Sequence, residues 1–79
     1  MRHLRTLRHR RLIEEIAAAR QAAGISQRAL AAKLKRSESY ISKFEAGERR
    51  LEVCELLDLC AAIGADPLAL LGRVLQKRQ

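Results

Sequence analysis

The sequence predicts an all-α protein with one small, compact domain of five helices. The chain has 79 residues, which is enough for a single hydrophobic core of modest size. Apolar residues make up 48% of it, yet Tyr40 and Phe44 are its only aromatic residues, so the core must be mainly aliphatic. Such a composition favours helices packed on helices. Apolar runs with helical spacing are separated by glycines and by serine or aspartate caps, and these runs give the helix count.

The first predicted helix starts at Leu12 and ends before Gly24, because glycine is a common helix stop. Its apolar face follows the i, i+4, i+7, i+11 spacing of a helix, at Leu12, Ile16, Ala19 and Ala23. Residues 1–11 are basic and precede this pattern. They are predicted to be either a frayed extension of the helix or a flexible arm.

Helices 2 and 3 are predicted to be short and close together, from residue 27 to near 35 and from residue 38 to about 46. Each is preceded by a serine, Ser26 or Ser37, and serine is a good N-cap. Gly47 ends helix 3, since glycine readily adopts the left-handed conformation of a helix C-terminus. The predicted core side chains of these helices are Leu30, Ala31, Leu34, Ile41 and Phe44.

Helix 4 is predicted between the loop at residues 48–51 and Gly64. Its apolar positions are Val53, Leu56, Leu59, Cys60 and Ile63. Asp66 followed by Pro67 is an N-cap followed by proline in the first turn, which predicts the start of helix 5. The domain is therefore expected to span residues 12–76, with a short tail at 77–79.

Charge is unevenly distributed along the chain. The formal net charge is +7, from 16 basic and 9 acidic residues. Residues 26–50 contain seven basic and three acidic residues, whereas residues 51–72 contain four acidic residues and no Lys or Arg. We call residues 26–50, together with the basic segment 1–11, the positive front, and residues 51–72 the negative back. A basic surface of this kind favours a polyanionic partner.

The cysteines and histidines do not predict a metal site. Cys54 and Cys60 lie six residues apart on a predicted helix, about 9 Å along its axis, so they cannot form a disulfide within it. Two reduced thiols of core type suit a reducing cytoplasm. Without CxxC or HxxxH spacing, no metal or other cofactor is expected.

Two further classes of protein are not supported by the sequence. No apolar run reaches the roughly 18 residues that span a bilayer, and the basic N-terminus lacks the apolar core of a secretory signal, so a cytoplasmic protein is expected. The sequence contains no nucleophile beside a base, no glycine-rich phosphate loop and no paired carboxylates at an enclosed site. We therefore expect no enzymatic activity.

The layout of helices 2 and 3 is that of a helix-turn-helix, with a three-residue turn between two short helices. Several motifs add to this layout in order: Gly24-Ile25-Ser26-Gln27, Leu30-Ala31, the serines and isoleucine at 37, 39, 41 and 42, Phe44-Glu45-Ala46-Gly47, and Ile63-Gly64-Ala65-Asp66-Pro67-Leu68. Over about residues 12 to 72 the chain resembles the lambda-repressor and Cro type (XRE family) of DNA-binding domain. The resemblance implies a five-helix lambda-repressor-like fold that binds double-stranded DNA.

The expected DNA-binding residues follow from how a helix enters the major groove. Residues near its N-terminus come closest to the base edges, so short polar side chains suit this position. Arginines in the loop after helix 3 can reach phosphates, and the first turn of helix 2 presents a glutamine amide and free backbone N–H groups. The predicted set is Gln27, Arg28, Lys35, Ser37, Glu38, Ser39, Tyr40, Ser42, Lys43, Arg49 and Arg50.

Some of these residues have a second interpretation. Ser37 is expected to serve mainly as the N-cap of helix 3. Glu38 either complements the helix dipole or accepts a hydrogen bond from cytosine N4, and the two roles are compatible. Lys43 is either a phosphate or base contact or a solvated charge. Tyr40 is expected along the phosphate backbone rather than in the core.

The resemblance also implies two structural features. In the family the turn between helices 2 and 3 often carries a glycine in the left-handed conformation, and Lys35 stands there in this chain. A non-glycine residue in this conformation costs on the order of 1 kcal/mol. The family pattern further implies a partly buried ion pair between Arg20 and Glu45 that links helix 1 to helix 3.

The expected function is that of a bacterial or phage transcriptional regulator, a repressor that acts as a dimer on a near-palindromic operator. The predicted dimer surface lies on helix 5, at Leu68, Leu71, Val74 and Leu75, although these side chains could instead complete the monomer core. The basic segment 1–11 could contact DNA or be a disordered tail. Two alternatives are an antitoxin that binds a toxin protein and a protein-interaction adaptor.

Overall fold

The fold is all-α, as the sequence predicts. The computed structural model describes residues 6–76, and this part of the chain contains five helices and no strand. The helices are α1 Leu7–Ala22, α2 Gln27–Leu34, α3 Glu38–Glu45, α4 Val53–Ile63 and α5 Pro67–Gln76. None of these helices, within the described residues, is long and apolar enough to cross a membrane.

Local capping signals place the ends of α2 to α5 where the sequence predicts them. The side-chain oxygen of Ser26 accepts a hydrogen bond from the backbone N–H of Ala29 at 3.0 Å, and Asp66 accepts one from Leu68 at 3.1 Å. These bonds satisfy backbone donors that the first turn of a helix leaves without partners. At the C-terminal end of α4, Gly64 adopts φ +84°, which a side chain would disfavour.

Helix α1 begins earlier than predicted. Thr6 is its N-cap, with the threonine hydroxyl accepting a hydrogen bond from the backbone N–H of His9 at 3.2 Å. Residues 7–11, which belong to the basic segment, are therefore helical. Residues 1–5 of that segment and the tail at 77–79 lie outside the described part of the chain.

The core is aliphatic except for Phe44 and Cys60, and every helix contributes to it. The buried residues are Ile13, Ile16, Leu30, Ala31, Ile41, Phe44, Leu56, Leu59, Cys60, Ile63, Leu70 and Val74. Val53 was predicted on the apolar face of helix 4, but it is 72% exposed in the first turn of α4. The two cysteines also differ, because Cys60 is buried as expected whereas Cys54 is exposed.

Helix α5 divides its apolar residues between the core and the surface. Leu70 and Val74, which lie one turn apart, point inward and are 0% and 3% exposed. Val74 therefore belongs to the core, which corrects its assignment to the predicted dimer surface. Leu68 and Leu75 are 79% and 65% exposed, and Leu71 is partly buried.

The turn between α2 and α3 is closed by Lys35. This residue has φ 57° and ψ 44°, the left-handed conformation expected from the family pattern. Its N–H donates to the carbonyl of Ala32 at 3.2 Å, and the N–H of Arg36 donates to Ala31 at 2.9 Å. This pair of bonds is the Schellman motif, which usually has glycine in the left-handed position. The turn therefore has a normal bonding pattern with an unusual residue in it.

Candidate nucleic-acid interface

Helix α3 separates a buried face from a polar exposed face. Ile41 and Phe44 are both 0% exposed and fix the inner side of the helix. The exposed face carries the four side chains predicted from the sequence, Glu38, Ser39, Ser42 and Lys43. The hydroxyl of Ser42 donates to the backbone oxygen of Ser39 at 3.2 Å, so this contact stays within the helix. The exposed face thus presents short donors and acceptors beside one lysine.

The N-terminus of α3 combines a cap with a weak ion pair. Ser37 accepts a hydrogen bond from the backbone N–H of Tyr40 at 3.2 Å, so its capping role is present. The carboxylate of Glu38 lies 3.6 Å from the guanidinium of Arg28 on α2, and their side chains are 51% and 86% exposed. Exposed pairs of this kind contribute little stability. Both side chains therefore remain accessible to an external partner.

A buried ion pair fixes α3 to α1. The guanidinium of Arg20 donates to both carboxylate oxygens of Glu45, at 2.7 and 3.0 Å, and its remaining terminal nitrogen donates to the backbone oxygen of Ile25 at 2.8 Å. The two charged side chains are only 10% and 9% exposed. The pair implied by the family pattern is therefore present, and it also anchors the loop before α2.

Gln27 joins this network, which the sequence did not indicate. Its amide nitrogen donates to a carboxylate oxygen of Glu45 at 2.9 Å. The amide that we expected to contact a phosphate is thus bound to α3 in the structure. The N-terminal turn of α2 still offers its backbone N–H groups at this position.

Tyr40 occupies a half-buried position beside two arginines. The guanidinium carbons of Arg36 and Arg49 lie over its ring, 4.4 and 4.7 Å from the centroid. The ring also packs edge-on against Phe44, with the centroids 5.8 Å apart. Burial, together with the nearby carboxylate of Glu55, raises the pKa of Tyr40 against the opposing effect of the two arginines. Tyr40 therefore lies at the edge of the core as a neutral phenol with positive charge around it.

Glu55 on α4 holds these arginines. Arg49 donates two hydrogen bonds to its carboxylate, at 3.0 and 2.9 Å, and the nearest nitrogen of Arg36 lies 3.7 Å away. The carboxylate also accepts the backbone N–H of Glu52 at 2.9 Å as part of a capping box. The bonds from Arg49 and from this backbone N–H lower the pKa of Glu55 to about 2. Arg36 and Glu55 were absent from the predicted site. For Glu55 the sequence does contain an indication, because Glu52 and Glu55 have the spacing of a capping box at the start of a helix. For Arg36 it contains none.

The remaining predicted basic residues lie apart from this cluster. Lys35 is exposed in the turn. Arg50 lines a groove of about 560 Å³ with a largely apolar wall, formed by Thr6, Arg8, His9, Leu12, Arg50, Leu51, Leu71, Val74 and Leu75. Burial and the positive charge of Arg50 lower the pKa of His9. Arg50 therefore faces α1 and α5, whereas Arg49 faces Tyr40.

The described residues do not bring together a metal site. No group of three or more His, Cys, Asp or Glu side chains within residues 6–76 is arranged to hold a metal ion. Cys60 is buried in the core, and burial raises the pKa of its thiol.

Comparison with known proteins identifies the type of domain. Residues 2–74 match the family model of a helix-turn-helix domain. An XRE-family like protein from Pseudomonas syringae pv. tomato is 48% identical, with a TM-score of 0.82 over 86% of this chain and 83% of the other. The clp gene regulator ClgR from C. glutamicum is 25% identical, with a TM-score of 0.82 over 94% of this chain and 99% of the other.

A third similar structure is the restriction-modification controller protein C.AhdI from Aeromonas hydrophila. It is 28% identical, with a TM-score of 0.69 over 76% of this chain and 91% of the other. No curated protein matches the chain. The match of the family model across most of the sequence agrees with the order of the five helices and with the capped turn between α2 and α3. The chain belongs to the helix-turn-helix domain family and is of the XRE type.

Proposed function

We propose that this protein binds double-stranded DNA at specific sequences and regulates transcription, as a repressor. The observation that carries the proposal is the exposed face of α3, where Glu38, Ser39, Ser42 and Lys43 stand on a helix whose opposite side is locked in the core. A helix of this kind fits the major groove, and its exposed donors and acceptors match the groups on the base edges. ClgR is described as a gene regulator and C.AhdI as a controller protein, which supports regulation as the role.

Phosphate contacts would come from groups around this helix. Lys35 in the turn, Arg28 on α2 and the backbone N–H groups at the start of α2 all belong to the positive front. Contacts of this type fix the position of a protein on the duplex and make its affinity depend on salt. The bacterial source of the similar XRE-family like protein supports a location in the cytoplasm of a bacterium, with the protein encoded by the bacterium or by a phage.

The proposed active form is a homodimer. One module of this type contacts a half-site, so high specificity requires two copies on a near-palindrome. Leu68 and Leu75 on α5 are 79% and 65% exposed, and Leu71 beside them is partly buried. Exposed leucines on one helix are suitable for an interface between two copies, because burial of their apolar surface would stabilise the dimer.

Selection of binding sites from a random duplex library, at low and at high salt, tests the proposal. We expect an inverted repeat whose half-site centres lie about one helical turn, ~34 Å, apart. Glu38→Gln should change the preferred base at one position of each half-site, because the amide can donate where the carboxylate only accepts.

The result that would contradict the proposal is recovery of no motif, together with binding that falls steeply with salt for every sequence. The positive front would then provide only general phosphate affinity, and a protein partner would become the better hypothesis. If Glu38→Gln leaves the base preference unchanged, Glu38 does not contact a base, but the proposal for the other exposed residues of α3 still stands.

A further inference from the structure

The four residues Arg36, Tyr40, Arg49 and Glu55 form a cluster that links α3, and the connections on either side of it, to α4. Arg36 lies in the turn before α3, Tyr40 in its first turn, Arg49 in the loop that follows, and Glu55 on α4. We call these residues the tyrosine cluster. It lies at the N-terminal end of α3, the end from which base contacts are proposed.

The arginines of this cluster retain unused hydrogen-bond donors. The side chain of Arg36 makes no hydrogen bond to any described residue, and it is 47% exposed. Arg49 uses both hydrogens of Nη1, on Glu55 and on the backbone oxygen of Arg50, and one hydrogen of Nη2 on Glu55. Its Nε–H and second Nη2–H have no acceptor among the described residues, and its side chain is 37% exposed. Donors from two guanidiniums are thus available close to one aromatic ring.

The single carboxylate does not cancel the charge of the cluster. Two guanidiniums and one carboxylate leave a net charge of one positive unit, while the carboxylate side chain is only 12% exposed. An acid at the surface of a DNA-binding front would oppose DNA, but here its effect is structural. It holds Arg49 by two hydrogen bonds and Arg36 by a longer ion pair before any partner arrives, which lowers the entropy lost on binding.

We propose that Arg36 and Arg49 form a binding site for a phosphate group of the DNA backbone, with Glu55 as the positioning residue that holds both guanidiniums over Tyr40. This inference rests on the proposed DNA binding. Arginine donors suit phosphate oxygens because the planar guanidinium can present two parallel N–H groups. The site contributes affinity and orientation rather than base preference.

The test compares two substitutions that change the net charge equally. Glu55→Gln and Asp58→Asn each remove one negative charge from α4, but only Glu55 contacts the arginines. Binding to a fluorescently labelled duplex of mixed sequence is measured over a series of salt concentrations. We expect Asp58→Asn to leave affinity unchanged or slightly higher, and Glu55→Gln to lower it several-fold despite the gain in net charge.

Glu55→Gln also removes the ion pairs that tie Arg36 and Arg49 to α4, which lowers stability, so a second variant addresses the phosphate site directly. Arg36→Gln removes an exposed guanidinium without removing a hydrogen bond to the described residues. We expect it to reduce the slope of log K against log salt by about 0.9, the value for one lost phosphate contact. The matched control is Arg73→Gln on α5, whose side chain is 50% exposed and bound to Glu15, and we expect no change of slope for it. Circular dichroism confirms that each variant is folded at the temperature of the binding experiment.

Two results would overturn the phosphate site: an affinity of folded Glu55→Gln equal to or above that of Asp58→Asn, or a slope for Arg36→Gln equal to that for Arg73→Gln. The outcomes also separate this site from the proposed function. Binding without sequence preference, but with the expected change in slope, would support the site and reject the specific regulator. A recovered motif with unchanged slopes would support the specific regulator and reject the phosphate site. Absence of any duplex binding by the unmodified protein would reject both the regulator and the site.

Discussion

Arg20 and Glu45 carry opposite charges at a place where water has little access. Each side chain is about one-tenth exposed. The carboxylate of Glu45 on α3 accepts hydrogen bonds from Arg20 on α1 and from Gln27 on α2. Two buried charges are expensive to desolvate, so the pair need not add much net stability. Removal of one partner is different, because the remaining charge then has no compensation.

We therefore expect Glu45→Gln to lower the free energy of unfolding by about 3 kcal/mol, the lower end of the cost of breaking a buried pair from one side. Urea denaturation followed by circular dichroism measures this change. The matched control is Glu38→Gln, whose exposed pair with Arg28 should contribute less than about 1 kcal/mol. Equal effects of the two substitutions would show that the buried pair has no special role.

Residue by residue, the sequence predicted the parts of the site that follow local rules. The outward side chains of α3 follow from helical periodicity once Ile41 and Phe44 point inward, and the partnership of Arg20 with Glu45 follows from the family pattern. Contacts between residues that are far apart in the chain could not be predicted from such local rules. The bond from Gln27 to Glu45 spans 18 positions, and nothing in the order of residues indicates it.

At the level of elements, the turn between α2 and α3 stands out because, among the described residues, only Lys35 has a positive φ without being glycine. Lys35 holds a left-handed conformation that costs a residue with a β-carbon roughly 1–2 kcal/mol relative to glycine. Glycine at the same position would remove this cost but would also gain freedom in the unfolded chain, worth about 0.4–1 kcal/mol. The two effects partly offset each other.

We expect Lys35→Gly to stabilise the protein by less than about 1 kcal/mol and Lys35→Val to destabilise it, because branching at the β-carbon makes positive φ more costly. Midpoints of thermal unfolding for the three proteins should rank glycine, lysine, valine from highest to lowest. A valine variant as stable as the unmodified protein would show that the turn relaxes away from the left-handed conformation.

Element boundaries were predictable at most of the capping residues, but not at Thr6. Ser26, Ser37 and the Asp66-Pro67 pair each start a helix at the expected position. The start of α1 was predicted too late, because Thr6 is followed by a segment in which arginines and histidine interrupt the apolar spacing. In α5 the predicted apolar set of Leu68, Leu71, Val74 and Leu75 omitted Leu70, which is 0% exposed. Single-helix periodicity did not show that Leu70 and Val74 face inward and Leu68 and Leu75 outward.

For the molecule as a whole, the proposed dimer is the feature that most affects specificity. We expect the protein to dimerise in solution and Leu75→Glu to convert it to a monomer, since a charge would be placed within the proposed apolar interface. Sedimentation equilibrium measures the change. The matched control is Leu57→Glu on α4, which is 46% exposed but lies outside α5, and it should leave the dimer intact. A dimer that survives Leu75→Glu would place the interface elsewhere.

Among the described residues, no side-chain hydrogen bond or ion pair joins the exposed face of α3 to the buried frame that carries it. Ser42 bonds within its own helix, Glu38 pairs only with exposed Arg28, and the frame is held by Arg20, Glu45 and the aliphatic core. Substitutions on the one side therefore leave the free energy of the other almost untouched. Under selection, such a domain can exchange the few side chains that meet the bases and acquire a new target while it keeps the same scaffold, so divergence of regulatory targets need not wait for compensating changes in the fold.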